Sequence, residues 1–254
     1  MISSPDATQP APPPFEYTRG HWETYVANYA SGRRRAKIAL VLEWMGEVQG
    51  RRVLDVGIGA GFWTRTCVER GARVISLEFA DALVDPYRGE RRLRLVQGDA
   101  QRMPFPRETF DLVLLLDVIE HLPSARSCLE EVRRVLAPGG RLILVTDNTE
   151  PIGQRLLAPL DLVLRVGAKL WARLFRRGGP VPRLRAGPGC THVREFSAQE
   201  IADLVEHAGF RLTDLRTYYD GYSFYALGAF LARIFPGRRS ARLWDHTILR
   251  AERL

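Results

Sequence analysis

Along this chain, short apolar runs that stop abruptly at polar residues alternate with longer stretches in which apolar residues return every three or four positions. The short runs are Val53–Val56, Arg73–Glu78, Leu93–Ala100, Phe110–Asp117 and Arg141–Thr146. Phe110–Asp117 is the most apolar. Its Leu-Val-Leu-Leu-Leu core has no polar alternation and suits a strand covered on both faces. Helical periodicity fills the gaps: Arg34 to Val48, the stretch after Gly61, and Ala125 to Leu136, which Pro138-Gly139-Gly140 closes. Strands alternating with helices predict a parallel sheet with helices on both faces. All the strand ends then lie on one edge, where ligands bind in such sheets.

The first strand ends in an unusual way. Val53-Leu54-Asp55-Val56 runs into Gly57-Ile58-Gly59-Ala60-Gly61-Phe62-Trp63, with three glycines at alternate positions. A strand that turns sharply into a helix over a bound nucleoside needs such a loop, because a Cβ would hold the backbone away from the ligand. A dinucleotide loop would carry its third glycine at position 62, where Phe62 stands. The pattern here is G-x-G-x-G, preceded by Asp55. Glu78 closes the second strand seventeen residues after Gly61. That is near the distance expected of a carboxylate gripping ribose hydroxyls after one βα unit.

Four segments in order, "VLDVGIGAGFWT", "VISLE", "VQGDAQRMPFPRETFDLVLLLDVIEHL" and "EVRRVLAPGGRLILVT", resemble successive motifs of the class I S-adenosylmethionine-dependent methyltransferases. The resemblance is to the small-molecule group that includes the ubiquinone and menaquinone ring methyltransferases. It covers roughly residues 50–147. "HVREFSAQEIADLVEHAGF" (192–210) resembles the segment before that family's sixth strand, and "HTILRAERL" its last, antiparallel strand. The resemblance implies a Rossmann-like α/β fold. Its sheet would have seven mostly parallel strands, with helices on both faces, an N-terminal helical cap and an inserted helical lid between strands 5 and 6. It also implies S-adenosyl-L-methionine as cofactor. Gly57, Gly59 and Gly61 would let the loop approach the methionine and ribose, with Asp55 orienting that loop. Glu78 would take the ribose hydroxyls, Phe79 and Ala100 would flank the adenine, and Asp99 would accept from its amine. Asp117 would lie where the methionine part ends.

Composition narrows the class. The chain has 254 residues, 46% of them hydrophobic, enough for one large α/β domain with additions. No apolar run reaches bilayer length. Ser3 to Pro14 is polar and proline-rich, so 1–14 reads as a disordered tail. Cys67, Cys128 and Cys190 are scattered, without the spacing of a zinc site or disulfide framework. No metal site and a reducing, cytoplasmic compartment are therefore expected. Residues 15–49, with Phe15, Tyr17, Trp22, Tyr25 and Tyr29 followed by the Arg34–Val48 helix, read as the N-terminal cap. Residues 50–254 read as the methyltransferase domain.

The net charge of +8 is localised. Segment 151–190 holds eight cationic residues and one acid, Asp161, so it carries nearly the whole surplus. Within it, 160–177 has helical period. Leu160, Val163, Leu164, Leu170, Trp171, Leu174 and Phe175 form a stripe opposite Arg165, Lys169, Arg173 and Arg176. A basic amphipathic helix of this kind suits an anionic membrane surface or a lid over a greasy substrate, and equally a helix packed on the domain with its arginines in water. Ser223 to Phe235 is a second apolar segment that would widen such a surface or bury the first helix. The continuous apolar stripe suits lipid better than nucleic acid.

Methyl transfer needs an acceptor atom held in line with the methyl group, water excluded and any acceptor proton removed. His121, directly after strand four, and His192, in Thr-His-Val-Arg-Glu-Phe, are the candidate bases. Cys67 reads as helix packing. The Asn/Asp-Pro-Pro-aromatic turn of amino-group methyltransferases is replaced by Asp117-Val118-Ile119-Glu120, and no cysteine stands there for cytosine C5 chemistry. The expected acceptor is therefore a small, hydrophobic molecule methylated on oxygen or carbon: quinone-like, lipid-linked or a secondary metabolite. Two alternatives remain at this stage: an RNA or protein methyltransferase, and a non-catalytic cofactor-binding protein attached peripherally to a membrane.

Overall fold

The computed structural model describes residues 35–80, 94–149, 192–218 and 246–254. The proline-rich tail, the aromatic stretch 15–29, the 151–190 insertion with its 160–177 helix, and the segment 223–235 lie outside these residues.

The elements follow the apolar pattern. In chain order they are α1 (Arg35–Met45), β1 (Arg52–Val56), α2 (Phe62–Glu69), β2 (Arg73–Glu78), β3 (Leu95–Gln97) and β4 (Phe110–Leu116). A 3-10 turn (Ile119–His121) leads to α3 (Ala125–Val135), β5 (Leu136–Asp147), α4 (Ala198–His207), β6 (Phe210–Tyr218) and β7 (His246–Arg253). The seven strands form one sheet in the order β3-β2-β1-β4-β5-β7-β6. β1 to β5 are mutually parallel where they pair. β7 runs antiparallel to both neighbours and lies between β5 and β6. This is the predicted Rossmann-like sheet with an antiparallel last strand.

Two apolar cores sandwich the sheet because side chains alternate along each strand. Val113 and Leu115 of β4 face the core made by Cys128, Leu129 and Val132 of α3 and Ile201, Ala202 and Val205 of α4. Leu112, Leu114 and Leu116 face Val41, Trp44 and Met45 of α1 and Trp63 and Cys67 of α2. Cys67 is thus a packing residue, as read. Each buried large aliphatic side chain contributes about 1.5–3 kcal/mol.

Local chemistry sets the helix ends. The Ser124 hydroxyl caps α3 by accepting from the Ser127 N–H at 3.2 Å. α4 opens with a reciprocal capping box between Ser197 and Glu200. Gly209, at φ 86°, turns the chain out of α4. At the end of α1 the Arg141 guanidinium donates to the carbonyls of Trp44 and Met45 at 3.3 and 3.1 Å, where the helix dipole favours a cation.

One boundary differs from the pattern. Pro138-Gly139-Gly140 reads as a break before a strand at Arg141, yet β5 begins at Leu136. Leu136 pairs with Phe110, and the ladder resumes at Arg141 opposite Leu112 after an irregularity. The glycines sit inside that irregularity, where the extra residues bulge out of register.

Candidate cofactor and acceptor site

The glycine loop leaves β1 at the edge where the parallel strands end. Gly57 stands at φ 79°, and its N–H donates to the Leu77 carbonyl at 2.7 Å. A Cβ on Gly57 would meet Val118 Cγ2 at 2.6 Å, so both conformation and space demand glycine. Gly59 is also at positive φ. Gly61, at φ 70°, precedes the first residue of α2, and its N–H closes a turn onto the Ile58 carbonyl at 2.8 Å.

Two carboxylates hold this loop. Asp55 is buried and accepts a hydrogen bond from the Thr64 hydroxyl at 2.6 Å; that hydroxyl is also 2.7 Å from Ser76 Oγ. Burial pushes the Asp55 carboxyl up to about 7, against the Thr64 hydrogen bond, and the charge of Glu78 adds to the rise. Asp55 therefore ties β1, β2 and α2 together under the loop. Glu78 ends β2 and accepts from the N–H groups of Phe79 and Ala80 at 2.9 and 3.1 Å. Burial raises its pKa, and the N–H groups of Ala80, Phe79, Gly59 and Ile58 oppose that rise. The carboxylate thus sits between the end of β2 and the glycine loop. Phe79 beside it is 67% exposed, an apolar ring offered to whatever occupies the edge. Asp99 follows β3 and accepts from the Gln101 N–H at 2.8 Å, with Ala100 buried next to it. The ends of β1, β2 and β3 therefore place Asp55, Gly57, Gly59, Gly61, Glu78, Phe79, Asp99 and Ala100 along one edge.

Beyond β4 the edge becomes a cluster of ionisable groups. Asp117 takes φ 56°, rare for a non-glycine residue, and its carboxylate pairs with Lys37 of α1, which is 1% exposed. Glu120 is buried and accepts from the Thr146 hydroxyl at 3.1 Å. Burial, with the charges of Asp117 and Asp147, pushes its carboxyl up to about 8. The Glu120 carbonyl receives the N–H groups of Val193 and Arg194 at 3.0 and 3.1 Å. This brings His192 against His121, with ring centroids 5.1 Å apart. The two candidate bases, distant in sequence, are neighbours. One ligand atom from each of Glu120, His121 and His192 lies within 4.8 Å of the others, a spacing at which the three could share a cation, a proton or a water.

His192 is held on both sides. Its Nδ1 is 3.3 Å from Glu195 Oε1 and its Nε2 is 3.5 Å from Asp147 Oδ2. The other oxygen of Asp147 is 2.7 Å from Nδ1 of His246. Burial pushes the Asp147 carboxyl up, but the imidazoles of His246 and His192 outweigh it and hold the group below the usual carboxylate range. Lys37, Asp147 and His246, all at this edge, escape a reading of the sequence. Lys37 could have been noticed as one of two lysines among many arginines. His246 carried no local signal, because only the β5–β7 register brings it to Asp147.

Comparison with known proteins shows what this edge is similar to. Residues 54–144 match the methyltransferase domain model. A demethylmenaquinone methyltransferase of Clavibacter sepedonicus is 31% identical over 109 residues, 41% of this chain and 44% of that protein. The chain thus spans less than half the length of that relative. A ubiquinone biosynthesis O-methyltransferase of Xylella fastidiosa is 28% identical over 211 residues, 79% of this chain and 71% of its own. Among solved structures, a S-adenosylmethionine-dependent methyltransferase from Mesorhizobium loti superposes with a TM-score of 0.57 at 17% identity, covering 87% of this chain and 98% of that one. The [4+2]-cyclase SpnF superposes with a TM-score of 0.55, also at 17% identity, over 88% of this chain and 81% of its own. These structural likenesses show the fold, and the cyclase shows that one fold hosts different chemistry. Residues 54–144, which carry the glycine loop and its carboxylates, match the methyltransferase domain family, and the sheet has the same fold as the solved S-adenosylmethionine-dependent methyltransferase.

Proposed function

We propose that this chain transfers a methyl group from S-adenosylmethionine to oxygen or carbon of a small, hydrophobic acceptor. The observation that carries the reading is the alignment of the matched segment with the site. Residues 54–144 contain the glycine cradle, Glu78, Asp99 and Asp117 at successive strand ends. The residues suit the cofactor: a Cβ would fill the cradle at Gly57, and Glu78 offers a carboxylate beside it. Glu78 would take the ribose hydroxyls, Phe79 and Ala100 the adenine faces, Asp99 the exocyclic amine, and Asp55 would brace the loop. Asp117 would border the methionine part. The bound cofactor supplies an activated methyl group on a sulfonium. The protein then positions the acceptor, excludes water and receives a proton where the acceptor is a hydroxyl. His121 and His192 border the acceptor end.

The acceptor class follows from the relatives, whose names refer to menaquinone and ubiquinone biosynthesis. We take residues 15–49 as the cap over this edge and the basic segment 160–177 as its contact with an anionic membrane, from which a greasy acceptor would be drawn. The compartment is then cytoplasmic with peripheral attachment. Among the described residues no helix is long and apolar enough to cross a membrane.

Titration calorimetry tests the core of the reading. S-adenosylmethionine and S-adenosylhomocysteine should bind the wild type, and Asp99→Ala should weaken both by about 10- to 100-fold, the loss of a hydrogen bond to a charged acceptor. A well-folded wild type that binds neither would sink the proposal. Pelleting with phosphatidylglycerol vesicles at low salt tests the membrane contact separately. Replacing Arg165, Lys169, Arg173 and Arg176 by glutamine should abolish it, and no pelleting of the wild type would dispose of the idea.

A further inference from the structure

Asp147, His246 and Tyr218 form one row across three strands. Asp147 closes β5, His246 opens β7 and Tyr218 closes β6, and the register sets them side by side. The row exists because β7 is antiparallel: its first residue arrives at the edge where the parallel strands finish. Tyr218 packs in the core beneath α1 with Val145 and Val41, so by alternation Asp147 faces the same side. That is the side from which Lys37 of α1 reaches Asp117.

The row is built as an oriented base. The His246 ring stacks on Tyr218 with centroids 5.1 Å apart and planes 20° from parallel. Tyr218 is only 3% exposed, its ring packed into the core beneath the histidine. Asp147 Oδ1 stands 2.7 Å from Nδ1. The Asp147 oxygen lies at ion-pair distance but off the line of the ring N–H, so it favours a proton on Nδ1 by its charge and leaves Nε2 as the accepting nitrogen. His192 is differently placed, with a carboxylate at each ring nitrogen. The imidazole side chain of His246 is 25% exposed, which leaves it reachable from the edge.

We infer that His246 is the proton acceptor for a hydroxyl-bearing acceptor, phenolic or enolic, with Asp147 as its positioning residue and Tyr218 as its platform. The inference rests on the proposed methyl transfer. In the reaction the acceptor O–H bond breaks and its proton goes to Nε2 of His246. The oxygen electron pair forms the new C–O bond, and the C–S bond breaks with its pair left on the departing thioether. Neighbouring charges are Asp147 from β5, Lys37 from α1, Asp117, Glu120 and His121 after β4, and His192 with Glu195 ahead of α4. Tyr218 adds its phenol from β6.

The test uses 4-nitrocatechol, whose absorbance reports ionisation, added to protein saturated with S-adenosylhomocysteine. Bound to the wild type, its apparent pKa should fall by about one unit, since a basic group that accepts its proton favours the phenolate. His246→Gln should retain S-adenosylhomocysteine binding and lose the shift. Asp147→Asn should move the acid limb of 4-nitrocatechol methylation to lower pH, because His246 loses the anion that favours its protonated form. An unchanged shift in His246→Gln overturns the inference. So does no spectral change with the loaded wild type, or loss of the shift in His192→Gln or His121→Gln alone. Failure of the wild type to bind S-adenosylhomocysteine defeats the methyl-transfer reading instead, so the two failures are distinguishable.

Discussion

At the scale of single residues, the site is built from groups that only this surround makes tolerable. Gly57 has no room for a methyl group and a backbone that L side chains avoid. Gly57→Ala should destabilise the protein by about 1–3 kcal/mol, read as a lower urea midpoint, and should abolish S-adenosylhomocysteine binding. Glu120 makes a prediction in pH. Its folded pKa, near 8, lies above the ordinary value of 4.5, so the folded state holds the proton more tightly than the unfolded chain. The associated stability is present below pH 4.5 and is lost as pH rises towards 8. Asp55 works in the same direction between 3.8 and about 7. Asp147, whose pKa is lowered, contributes oppositely, its share being lost in acid. Denaturant titrations at pH 5.5 and 8.5 should show the wild type losing stability as pH rises. The loss should be smaller in Glu120→Gln, and an equal loss in both would reject the assignment.

At the scale of elements, α1 is fastened at both ends. Lys37 pairs with Asp117 at one end, and Arg141 caps the carbonyls at the other. At that capped end the Trp44 ring also lies 5.1 Å from the Arg216 guanidinium and 5.8 Å from that of Arg250, within cation–π range. Lys37→Met removes a buried cation and leaves the Asp117 carboxylate without it. The expected cost is about 3–5 kcal/mol, with faster amide exchange in the first turn of α1 than in β1. Equal exchange in both elements would count against the fastening. The legibility of the chain divides along similar lines. β1, β2 and β4 could be read because both their faces are buried, so their composition alone is diagnostic. Asp55, Glu78 and Asp99 could be read because each closes a local βα unit. The early start of β5 could not, since Leu136 is recruited by Phe110 across a bulge that looks like a turn. Lys37 and His246 could not either. Their partners, Asp117 and Asp147, are chosen by packing over a long sequence separation.

At the scale of the molecule, the sheet is two unequal parts joined through β7. Leu249 is fully buried and registers with Leu144 on one side and Leu215 on the other. Leu249→Ala should cost about 2–5 kcal/mol, a fall of several degrees in the calorimetric midpoint. A change within error would show that β7 is not the joint. Its position between β5 and β6 also has a consequence for the nascent chain. β6 leaves the ribosome before β7, yet among the described strands β7 is the one β6 pairs with. Until β7 follows, β5 and β6 each present an open edge, and open edges recruit other strands. The interval in which the nascent chain exposes these strand edges to other chains is therefore the one between the emergence of β6 and the emergence of β7.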